Sequence, residues 1–443
     1  MTEQIEKLPL FPIGSSVKNG HLVIGGCDSV ELAKEFGTPL YVFDEASLHS
    51  KPAEYKDEFR KRYADTTINY SCKAFINTTV LRLFMDEGLG LDVVSGGEIG
   101  YARAAGFPAN RIDFPGNNKS AEELTLALDA GLRHIVVDNF HELKILGEIA
   151  AKKGLKPDIL LRISPGVDPH THHYITTGNI DSKFGVPMVL AEKAVSQAMS
   201  MASVNLTGLH FHVGSQLAEV EPYLQSVEYI LNFAAEMKKR HKFELKELSV
   251  GGGFAVQYTL DAPNPPASFY AEAITAKLKE KSKELKMALP RLIIEPGRSM
   301  VARAGVAIYT AGVIKEIPGV RTYVSVDGGM ADNIRPALYQ AKQDAVVANK
   351  MKEKVGNKVT ISGKFCESGD VLITDIALPQ VAAGDIIAVA ACGAYCIPEA
   401  MNYNAFFRPA IVLVKDGKAR LIRRRETLED LMRCDDVEGL PVD

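Results

Sequence analysis

The chain has 443 residues, of which 46% are hydrophobic and 24% charged, and these proportions are typical of a globular protein that folds in water. The length exceeds what one ordinary hydrophobic core holds, so we expect two domains. The formal net charge of −4 gives no electrostatic footprint for nucleic acid or for an anionic membrane, and we expect neither as a partner.

Residues 1–12 contain acidic residues and prolines where a signal peptide would have an apolar stretch. The longest apolar runs, such as residues 386–392, are too short to cross a bilayer. The six cysteines form no CxxC pair and lack zinc-site spacing, which is typical of free thiols in a reducing compartment. We therefore expect a cytoplasmic protein.

The first 43 residues contain strand candidates at 21–24 and 40–43, with a helix candidate at 30–36 between them. From residue 68 onward, apolar strand candidates alternate with helical patterns such as residues 121–130, 140–152 and 189–201. Eight such strands over about 225 residues predict a (β/α)₈ barrel in an α/β protein. The strand candidates are residues 68–70, 91–94, 112–114, 134–137, 159–163, 209–213, 248–250 and 292–294.

After residue 303 the pattern changes to short strands separated by turn residues, which predicts an all-β barrel or sandwich. We expect the barrel domain at 44–302, and a β domain formed by 303–443 together with 1–43. The basic triplet 423–425 and the acidic tail after it predict a solvated end. The strand candidates are residues 306–314, 322–326, 358–361, 371–374, 386–390 and 411–414.

One barrel loop, residues 164–183, is longer than its neighbours, and long loops in a compact domain are usually functional. It contains His170, His172 and His173, whose proximity makes a zinc site conceivable. We expect no metal there, because the spacing lies in a loop and no fourth ligand is evident.

Chemistry in barrels of this kind lies where the strands end, at their carboxyl side. The first strand is followed by Lys73, and burying an amine is costly unless something uses it. Desolvation also lowers the pKa of an amine, which suits Schiff-base chemistry. The alternative is a lysine whose stem packs while its head reaches water, and residues 68–74 alone favour that alternative.

The other strand ends change this balance, because they too carry polar residues or glycines. Gly251, Gly252 and Gly253 follow the seventh strand and Gly297 follows the eighth, where barrels bind phosphate through backbone N–H groups. A tight turn would explain the three glycines about as well. Ser215, after the sixth strand, could add a hydroxyl donor to a phosphate site.

Two further side chains at strand ends complete a recognisable set. His212 could stack on a flat ring, although a lone histidine is more often a satisfied core residue. Glu295 could hold a pyridine nitrogen and keep the ring a strong electron sink, or it could form a structural ion pair with Arg298. A lysine, a phosphate cradle, a stacking histidine and a carboxylate together predict a pyridoxal 5'-phosphate site.

The sequence resembles the diaminopimelate decarboxylases, which belong with ornithine and arginine decarboxylases to the fold type III pyridoxal-phosphate decarboxylases. The resemblance covers nearly the whole chain, and its motifs occur in the family's order. They are YSCKAF (70–75), LDVVSGGE (91–98), GNNKS (116–120), HFHVGSQ (210–216), GGGF (251–254), EPGRS (295–299), NIRPALY (333–339), CESGD (366–370) and GAYCIPEAMNYN (393–404). The loop SPGVDPHTHHYITTG (164–178) is also similar to a long loop of some bacterial members.

The resemblance implies a role for each matching residue. Lys73 would attach the cofactor, His212 would stack on its ring, and Glu295 would bind the pyridine nitrogen. Tyr395 would contact the cofactor or the substrate. The residues implied around the phosphate or next to it are Ser215, Gly252, Gly253, Gly297 and Arg298.

The substrate would be held by Arg298, Arg335 and Tyr339 in this reading. Cys366 and Glu367 would reach across from the second subunit of a homodimer, so that active sites are shared. Beside Glu367 and opposite a carbanion, Cys366 is a plausible proton donor, although taken alone it is better explained as an ordinary buried thiol.

The implied reaction is the decarboxylation of meso-2,6-diaminopimelate to L-lysine and CO₂, the last step of lysine biosynthesis. Arg298 and Arg335 offer forked donors for a distal carboxylate, and Glu367 offers an acceptor for a distal amine. Lysine or ornithine would leave a buried arginine unpaired, and such a loss can cost several powers of ten in specificity. The residues thus indicate a two-ended amino acid, and the diamino diacid comes from the resemblance.

Three alternatives stay open at this stage. The nearest is a decarboxylase of another substrate, such as carboxynorspermidine or a basic amino acid. A racemase on the same fold is disfavoured by Glu295, where alanine racemases place an arginine. A non-catalytic homologue that acts by binding is disfavoured by the retention of Lys73, Glu295 and Cys366.

The sequence departs from the family at three places. Phe75 stands where many members have asparagine, and Arg303 lies in a segment that varies with substrate class. Cys396-Ile397-Pro398-Glu399 replaces a more usual Gly-x-Ser-Met-like stretch. These departures bear on fine specificity and not on the cofactor.

Overall fold

The computed structural model describes residues 3–166 and 182–435. The described residues divide into two compact units. The barrel unit comprises Leu48–Val256 and Pro263–Val301, and the sheet unit comprises the described parts of Met1–Ser47, Gln257–Ala262 and Ala302–Asp443.

The strands are β1 (Ser16–Lys18), β2 (His21–Ile24), β3 (Cys27–Asp28), β4 (Leu40–Asp44), β5 (Thr66–Ser71), β6 (Gly90–Asp92), β7 (Ile112–Phe114), β8 (His134–Val137), β9 (Asp158–Ser164), β10 (Val186–Pro187), β11 (Asn205–His210), β12 (Glu247–Ser249), β13 (Arg291–Ile294), β14 (Gly305–Ile317), β15 (Arg321–Val326), β16 (Ala345–Val347), β17 (Lys358–Ser362), β18 (Val371–Ala377), β19 (Ile386–Val389), β20 (Ala410–Lys415) and β21 (Lys418–Arg423). The helices are α1 (Glu3–Glu6), α2 (Ser29–Phe36), α3 (Glu45–Arg60), α4 (Thr78–Asp86), α5 (Gly96–Ala105), α6 (Ala121–Ala130), α7 (Phe140–Lys153), α8 (Met188–Ser200), α9 (Glu221–His241), α10 (Ala267–Glu284), α11 (Arg298–Val301), α12 (Arg335–Tyr339) and α13 (Leu428–Met432).

The barrel unit is a closed ring of eight parallel strands, as the sequence predicts: β5, β6, β7, β8, β9, β11, β12 and β13. The ring closes where β13 pairs with β5, with Ile294 opposite Ile68. Its interior contains apolar side chains such as Val136, Leu160 and Ile293, all fully buried. Each such side chain contributes about 1.5–3 kcal/mol through burial.

The helices of the ring begin where the sequence supplies capping residues. Asn77, Ser95, Ser120 and Asn139 precede α4, α5, α6 and α7, and each side chain accepts a hydrogen bond from a first-turn amide. A cap of this kind stabilises a helix by about 1 kcal/mol. The caps fix where each connection after a strand stops and its helix starts.

One barrel strand lies earlier than the sequence predicts. The sixth strand, β11, spans Asn205–His210 rather than residues 209–213. The first half of β11 contains the polar residues Asn205 and Thr207, so it lacks the apolar pattern of a buried strand. In the structure Asn205 pairs with Asp158 of β9, and the Thr207 hydroxyl donates to the carbonyl of Ile159. His212 therefore lies in the loop after the strand.

The sheet unit contains a mixed sheet in the order β18-β17-β15-β14-β4-β20-β21, with β19 pairing with β14 and β16. The N-terminal strand β4 pairs antiparallel with β14 and parallel with β20, so the N-terminal segment belongs to this unit. Its core includes Phe11, Leu40 and Val412, all essentially fully buried.

Two expectations for the sheet unit need correction. Strands β16 and β21 were not predicted, because β16 is only three residues long and β21 is rich in lysine and arginine. The basic triplet is not simply solvated, since Arg425 donates to the carbonyl of Pro39 at 2.7 Å. In the described part of the chain, no helix is both long and apolar enough to span a membrane.

Candidate active site

Lys73 lies two residues after β5, in the single helical turn Cys72–Ala74. Cys72 and Ala74 are fully buried, whereas Lys73 is exposed. The turn directs Cys72 and Ala74 into the core but not Lys73. The sequence predicts a desolvated amine, and in the single chain the Lys73 amine is not desolvated. Lys73 is placed to reach a ligand rather than to pack.

Glu295 follows β13 and is almost completely buried. Its Oε1 accepts a hydrogen bond from the Ser249 hydroxyl at 2.7 Å, and its Oε2 lies 3.0 Å from His210 Nε2. Burial raises the pKa of Glu295, but the positive charge and the hydrogen bond of His210 outweigh it and leave the pKa below the usual range. Glu295 is thus paired with Ser249 and His210, and it is held ionised.

Asp92, the last residue of β6, is a second buried carboxyl at the same end of the barrel. It lies opposite Ser71 in the strand pairing and accepts a hydrogen bond from the Ser71 hydroxyl. Burial and the negative charge of Glu295 raise the pKa of Asp92 to about 8, while the charge of Lys73 opposes the shift. Asp92 therefore holds its proton at neutral pH.

His212 is held as a neutral ring. Its Nδ1 accepts a hydrogen bond from the Gly252 N–H at 3.2 Å. Burial lowers the pKa of His212 well below the usual range, and the positive charges of Lys73 and Arg162 lower it further. A neutral ring in a fixed orientation suits stacking on a planar ligand.

The glycines of the two last loops stand where side chains do not fit. A Cβ on Gly252 would lie 2.1 Å from the carbonyl oxygen of Glu295, and one on Gly253 would lie 2.2 Å from that of Gly214. Gly253 also has φ +98°, a conformation that favours glycine. A Cβ on Gly297 would meet the Ser71 side chain at 2.9 Å. Because these glycines have no side chains, the loops pack closely and their backbone N–H groups lie near the strand ends.

Arg298 begins α11, next to the glycine loop, and is buried. Its Nη2 donates to the Ser215 hydroxyl at 3.0 Å, so the structure brings together two residues predicted near the phosphate. Arg162, two residues before the end of β9, is a further buried cation, and its guanidinium lies 4.5 Å from the centroid of the Phe184 ring.

These residues fit the predicted pyridoxal phosphate. Asp92 Oδ1 and His210 Nδ1 are buried and have no hydrogen-bond partner within the described ranges. Buried polar atoms are normally satisfied, so these two atoms indicate a site built for a polar ligand. Each Glu295 oxygen has a second lone pair, so it can accept a ring N–H in addition to its present bond.

The sheet unit contains the predicted residues Arg335, Tyr339 and Tyr395 in one cluster. The guanidinium of Arg335 lies 4.9 Å from the Tyr339 ring centroid and 5.2 Å from that of Tyr395. Glu399 Oε2 lies 3.7 Å from Arg335 Nη1. Tyr395 has φ +63°, so its position depends on a left-handed turn. The cluster presents a fixed, buried cation.

Cys366 and Glu367 are exposed in the single chain, which corrects the view of Cys366 as an ordinary buried thiol. The Cys366 amide donates to Asn404 Oδ1 at 3.0 Å, and its carbonyl accepts from the Tyr403 hydroxyl at 3.3 Å. Glu367 Oε1 accepts from the Gly369 amide. Both side chains are available to a second molecule.

Sequence reasoning missed Asp92, His210, Ser249 and Arg162 as members of the site. Asp92, His210 and Ser249 are the last residues of their strands, and Arg162 lies two residues before the end of β9, so the strand-end rule that selected Lys73 points to them as well. The conceivable zinc site at His170, His172 and His173 lies outside the described residues, as does most of the loop 164–178. Among the residues that the structure does describe, there is no group of three or more metal-ligating side chains arranged for an ion.

Comparison with known families supports a pyridoxal-phosphate-dependent decarboxylase. Residues 47–302 match the family described as pyridoxal-dependent decarboxylase, pyridoxal binding domain. Along 430 residues the chain is 46% identical to the diaminopimelate decarboxylase of Bacillus subtilis, covering 96% of this chain and 98% of that protein. The diaminopimelate decarboxylase of Halalkalibacterium halodurans is 45% identical at similar coverage.

Solved structures indicate the same family. The fold is similar to that of a diaminopimelate decarboxylase from M. jannaschii in complex with L-lysine, with a TM-score of 0.90 and 38% identity. The match covers 96% of this chain and 98% of that one.

Proposed function

The chain belongs to the diaminopimelate decarboxylase family of pyridoxal-phosphate-dependent enzymes. We propose that it converts meso-2,6-diaminopimelate to L-lysine and CO₂, the last step of lysine biosynthesis. The enzyme is a carboxy-lyase that uses pyridoxal 5'-phosphate. The observation that carries the proposal is the joint presence of exposed Lys73, ionised Glu295 and the glycine loops at one end of the barrel.

We propose that Lys73, His212, Glu295 and Tyr395 contact the cofactor. Its phosphate is assigned to Ser215, Gly252, Gly253, Gly297 and Arg298. When bound, the cofactor supplies an electron sink for the pair released from the Cα–carboxylate bond. Glu295 is already ionised, so it can hold a proton on the ring nitrogen, while neutral His212 covers the ring without adding charge.

Arg298, Arg335, Tyr339, Tyr395 and Glu367 are assigned to the substrate. The forked donors of the arginines suit a carboxylate, and Glu367 suits an ammonium. Recognition of both groups at the far end favours a diamino diacid over lysine or ornithine. The M. jannaschii enzyme has been solved with L-lysine, the proposed product, and this supports L-lysine as a ligand of the site.

After CO₂ leaves, Cα needs one proton, and Cys366 is the proposed donor. We propose a homodimer in which Cys366 and Glu367 serve the active site of the second subunit, and the exposure of both residues supports this role. The proposed domains are 44–302 for the cofactor, and 1–43 with 303–443 for the shared site. The proposed location is the cytoplasm.

The experiment is product formation by the cofactor-loaded protein with each candidate substrate offered separately. The substrates are meso-diaminopimelate, lysine, ornithine, arginine and carboxynorspermidine. We expect CO₂ and L-lysine from the first alone. Activity only on another substrate would reject the substrate assignment, and no activity on any would reject the decarboxylase.

The role of Cys366 has its own test. Cys366→Ala should slow product formation or divert the reaction to transamination, because Cα would lack its proton donor. The measurement is CO₂ release together with the ratio of amine to aldehyde products. An unchanged rate and product would remove Cys366 from the mechanism. Cys434, the other exposed cysteine, supplies the matched control as Cys434→Ala.

A further inference from the structure

Arg335 is fixed by more than its two tyrosines. The rings of Tyr339 and Tyr395 lie within 4.9 and 5.2 Å of its guanidinium carbon, and the side chain is 9% exposed. Glu399 provides a carboxylate 3.7 Å from Nη1, and its own side chain is 29% exposed. Arg335 thus has a negative neighbour on its own chain, and the side chain of that neighbour is partly exposed.

The contact with Glu399 engages only part of the guanidinium. At 3.7 Å it is an ion pair longer than a hydrogen bond, and it involves one nitrogen of a guanidinium with five N–H donors. A carboxylate can therefore bind another edge of Arg335 while Glu399 stays in place. Glu399, which accepts but does not donate, would then lie beside that carboxylate and attract a cation.

We propose that Arg335 and Glu399 together recognise the unreacting amino-acid end of the substrate, with its carboxylate on Arg335 and its ammonium on Glu399. This inference rests on the proposed function, and it adds Glu399 as a specificity-determining residue. An ammonium has three N–H donors, so Glu399 accepts from the same group as Glu367 rather than in its place. The pair carries no net charge, and neither does an α-ammonium with its α-carboxylate. The Arg335–Glu399 pair and the amino-acid end of the substrate attract each other when each charge lies beside the opposite charge of the other group.

The pair also changes the argument from the sequence about lysine and ornithine. A substrate without a distal carboxylate does not leave Arg335 unpaired, because Glu399 remains beside it. Discrimination then depends on the lost carboxylate contact rather than on an uncompensated buried charge. Glu399 lies in the stretch 396–399, where the resemblance to the family predicts a Gly-x-Ser-Met-like sequence instead.

Binding to the cofactor-loaded enzyme tests the inference without turnover. The probes are L-lysine and 6-aminohexanoate, which differ only in the α-ammonium, and the measurement is titration calorimetry. Wild type should bind L-lysine more tightly, and Glu399→Gln should reduce that preference about tenfold or more, the worth of a charge-assisted hydrogen bond. Binding of 6-aminohexanoate should not weaken, because Arg335 loses a competing carboxylate.

Two outcomes would overturn the inference. If Glu399→Gln weakens the binding of both probes equally, Glu399 only positions Arg335. If the preference for L-lysine over 6-aminohexanoate is unchanged, Glu399 does not bind the α-ammonium. Glu353→Gln is the matched control, since it removes one negative charge from an exposed site of the same unit. Glu399→Met, which carries a residue closer to the family pattern, repeats the test if the glutamine variant does not fold.

Kinetics separate failure of this inference from failure of the proposed function. The ratio of kcat/KM for meso-diaminopimelate to that for D-2-aminopimelate, which lacks the distal amine, should fall about tenfold in Glu399→Gln. A wild-type enzyme that does not release CO₂ from meso-diaminopimelate contradicts the proposed function. An active enzyme whose ratio is unchanged by the substitution contradicts only the role of Glu399.

Discussion

The barrel contains two layers of buried charge that differ in how completely they are paired. The closed layer comprises Asn69, Asp113, Arg133, His134 and Glu247. Its Asp113 accepts hydrogen bonds from Asn69 and Arg133, and His134 bridges Asp113 and Glu247 at 2.9 and 2.6 Å. Each charged member therefore has a partner of opposite charge.

The open layer comprises Asp92, His210, Ser249 and Glu295, at the end of the barrel where Lys73 lies. It is buried to a similar degree, but Asp92 Oδ1 and His210 Nδ1 have no hydrogen-bond partner in the parts of the chain that are described. The two layers show different uses of the same residue types. Full pairing serves stability, whereas incomplete pairing leaves groups able to bind a ligand.

The pKa shifts follow the same division. In the closed layer, burial raises the pKa of Asp113, but Arg133 and His134 outweigh it and hold the carboxyl well below its usual range. In the open layer, burial and Glu295 raise the pKa of Asp92 to about 8. A buried carboxyl with cations is therefore ionised, and one beside another carboxylate is not.

The largest expected effect separates function from stability. Lys73→Ala should reduce CO₂ release from meso-diaminopimelate below detection, because Lys73 is the residue proposed to attach the cofactor. Thermal stability should not change, since Lys73 is exposed. The measurements are product formation and the melting temperature of the cofactor-free protein. The exposed Lys156→Ala is the control, and full activity in Lys73→Ala would end this account.

The closed layer should show the reverse. Asp113→Asn leaves Arg133 and His134 buried without their shared carboxylate, which should lower the free energy of unfolding by about 3–5 kcal/mol. Denaturant unfolding measures this loss. Asp65→Asn is the control, because Asp65 also pairs with an arginine, Arg291, but is exposed, and a surface pair contributes about 0–1 kcal/mol. Equal losses in the two variants would contradict a stabilising role for the closed layer.

The pH dependence of stability sharpens the role of His134. Burial lowers its pKa, but Asp113 and Glu247 outweigh that and raise the pKa to about 9, above the unfolded value of about 6.5. The folded state therefore holds its proton more tightly, so the stabilisation is complete below pH 6.5 and is lost as pH rises through 9.

The comparison of wild type with His134→Gln isolates this group. The difference between their free energies of unfolding should shrink by a few kcal/mol between about pH 6.5 and pH 9. Denaturant unfolding across this range measures it. A difference that stays constant would mean that His134 does not carry a charge in the folded protein.

The sequence was sufficient to predict that Lys73 and Glu295 lie at the carboxyl ends of barrel strands. Lys73 and Glu295 could be placed together because the carboxyl ends of parallel strands meet at one end of a barrel. The same reasoning needs only the order of strands, which the alternation of strands and helices supplies. The N-terminal strand was likewise assigned to the C-terminal β region, where β4 pairs with β14 and β20.

The partners within each layer could not be found in this way. Ser71 lies opposite Asp92, His210 opposite Ser249, and Asp113 opposite His134 on adjacent strands. These contacts are set by strand register, and a shift of one residue would send each side chain to the other face. In the sequence, such residues are isolated polar positions within apolar runs.

The smallest expected effect concerns Asp92, the carboxyl of the open layer. Because its pKa is about 8, Asp92 is protonated at neutral pH, and asparagine replaces it with a neutral group of similar shape. Asp92→Asn should therefore change the free energy of unfolding of the cofactor-free protein by at most about 1 kcal/mol, the worth of its bond with Ser71. Measured beside Asp113→Asn, it compares one substitution in both layers. A loss as large as that of Asp113→Asn would show that Asp92 is paired after all, and that the two layers do not differ as the structure indicates.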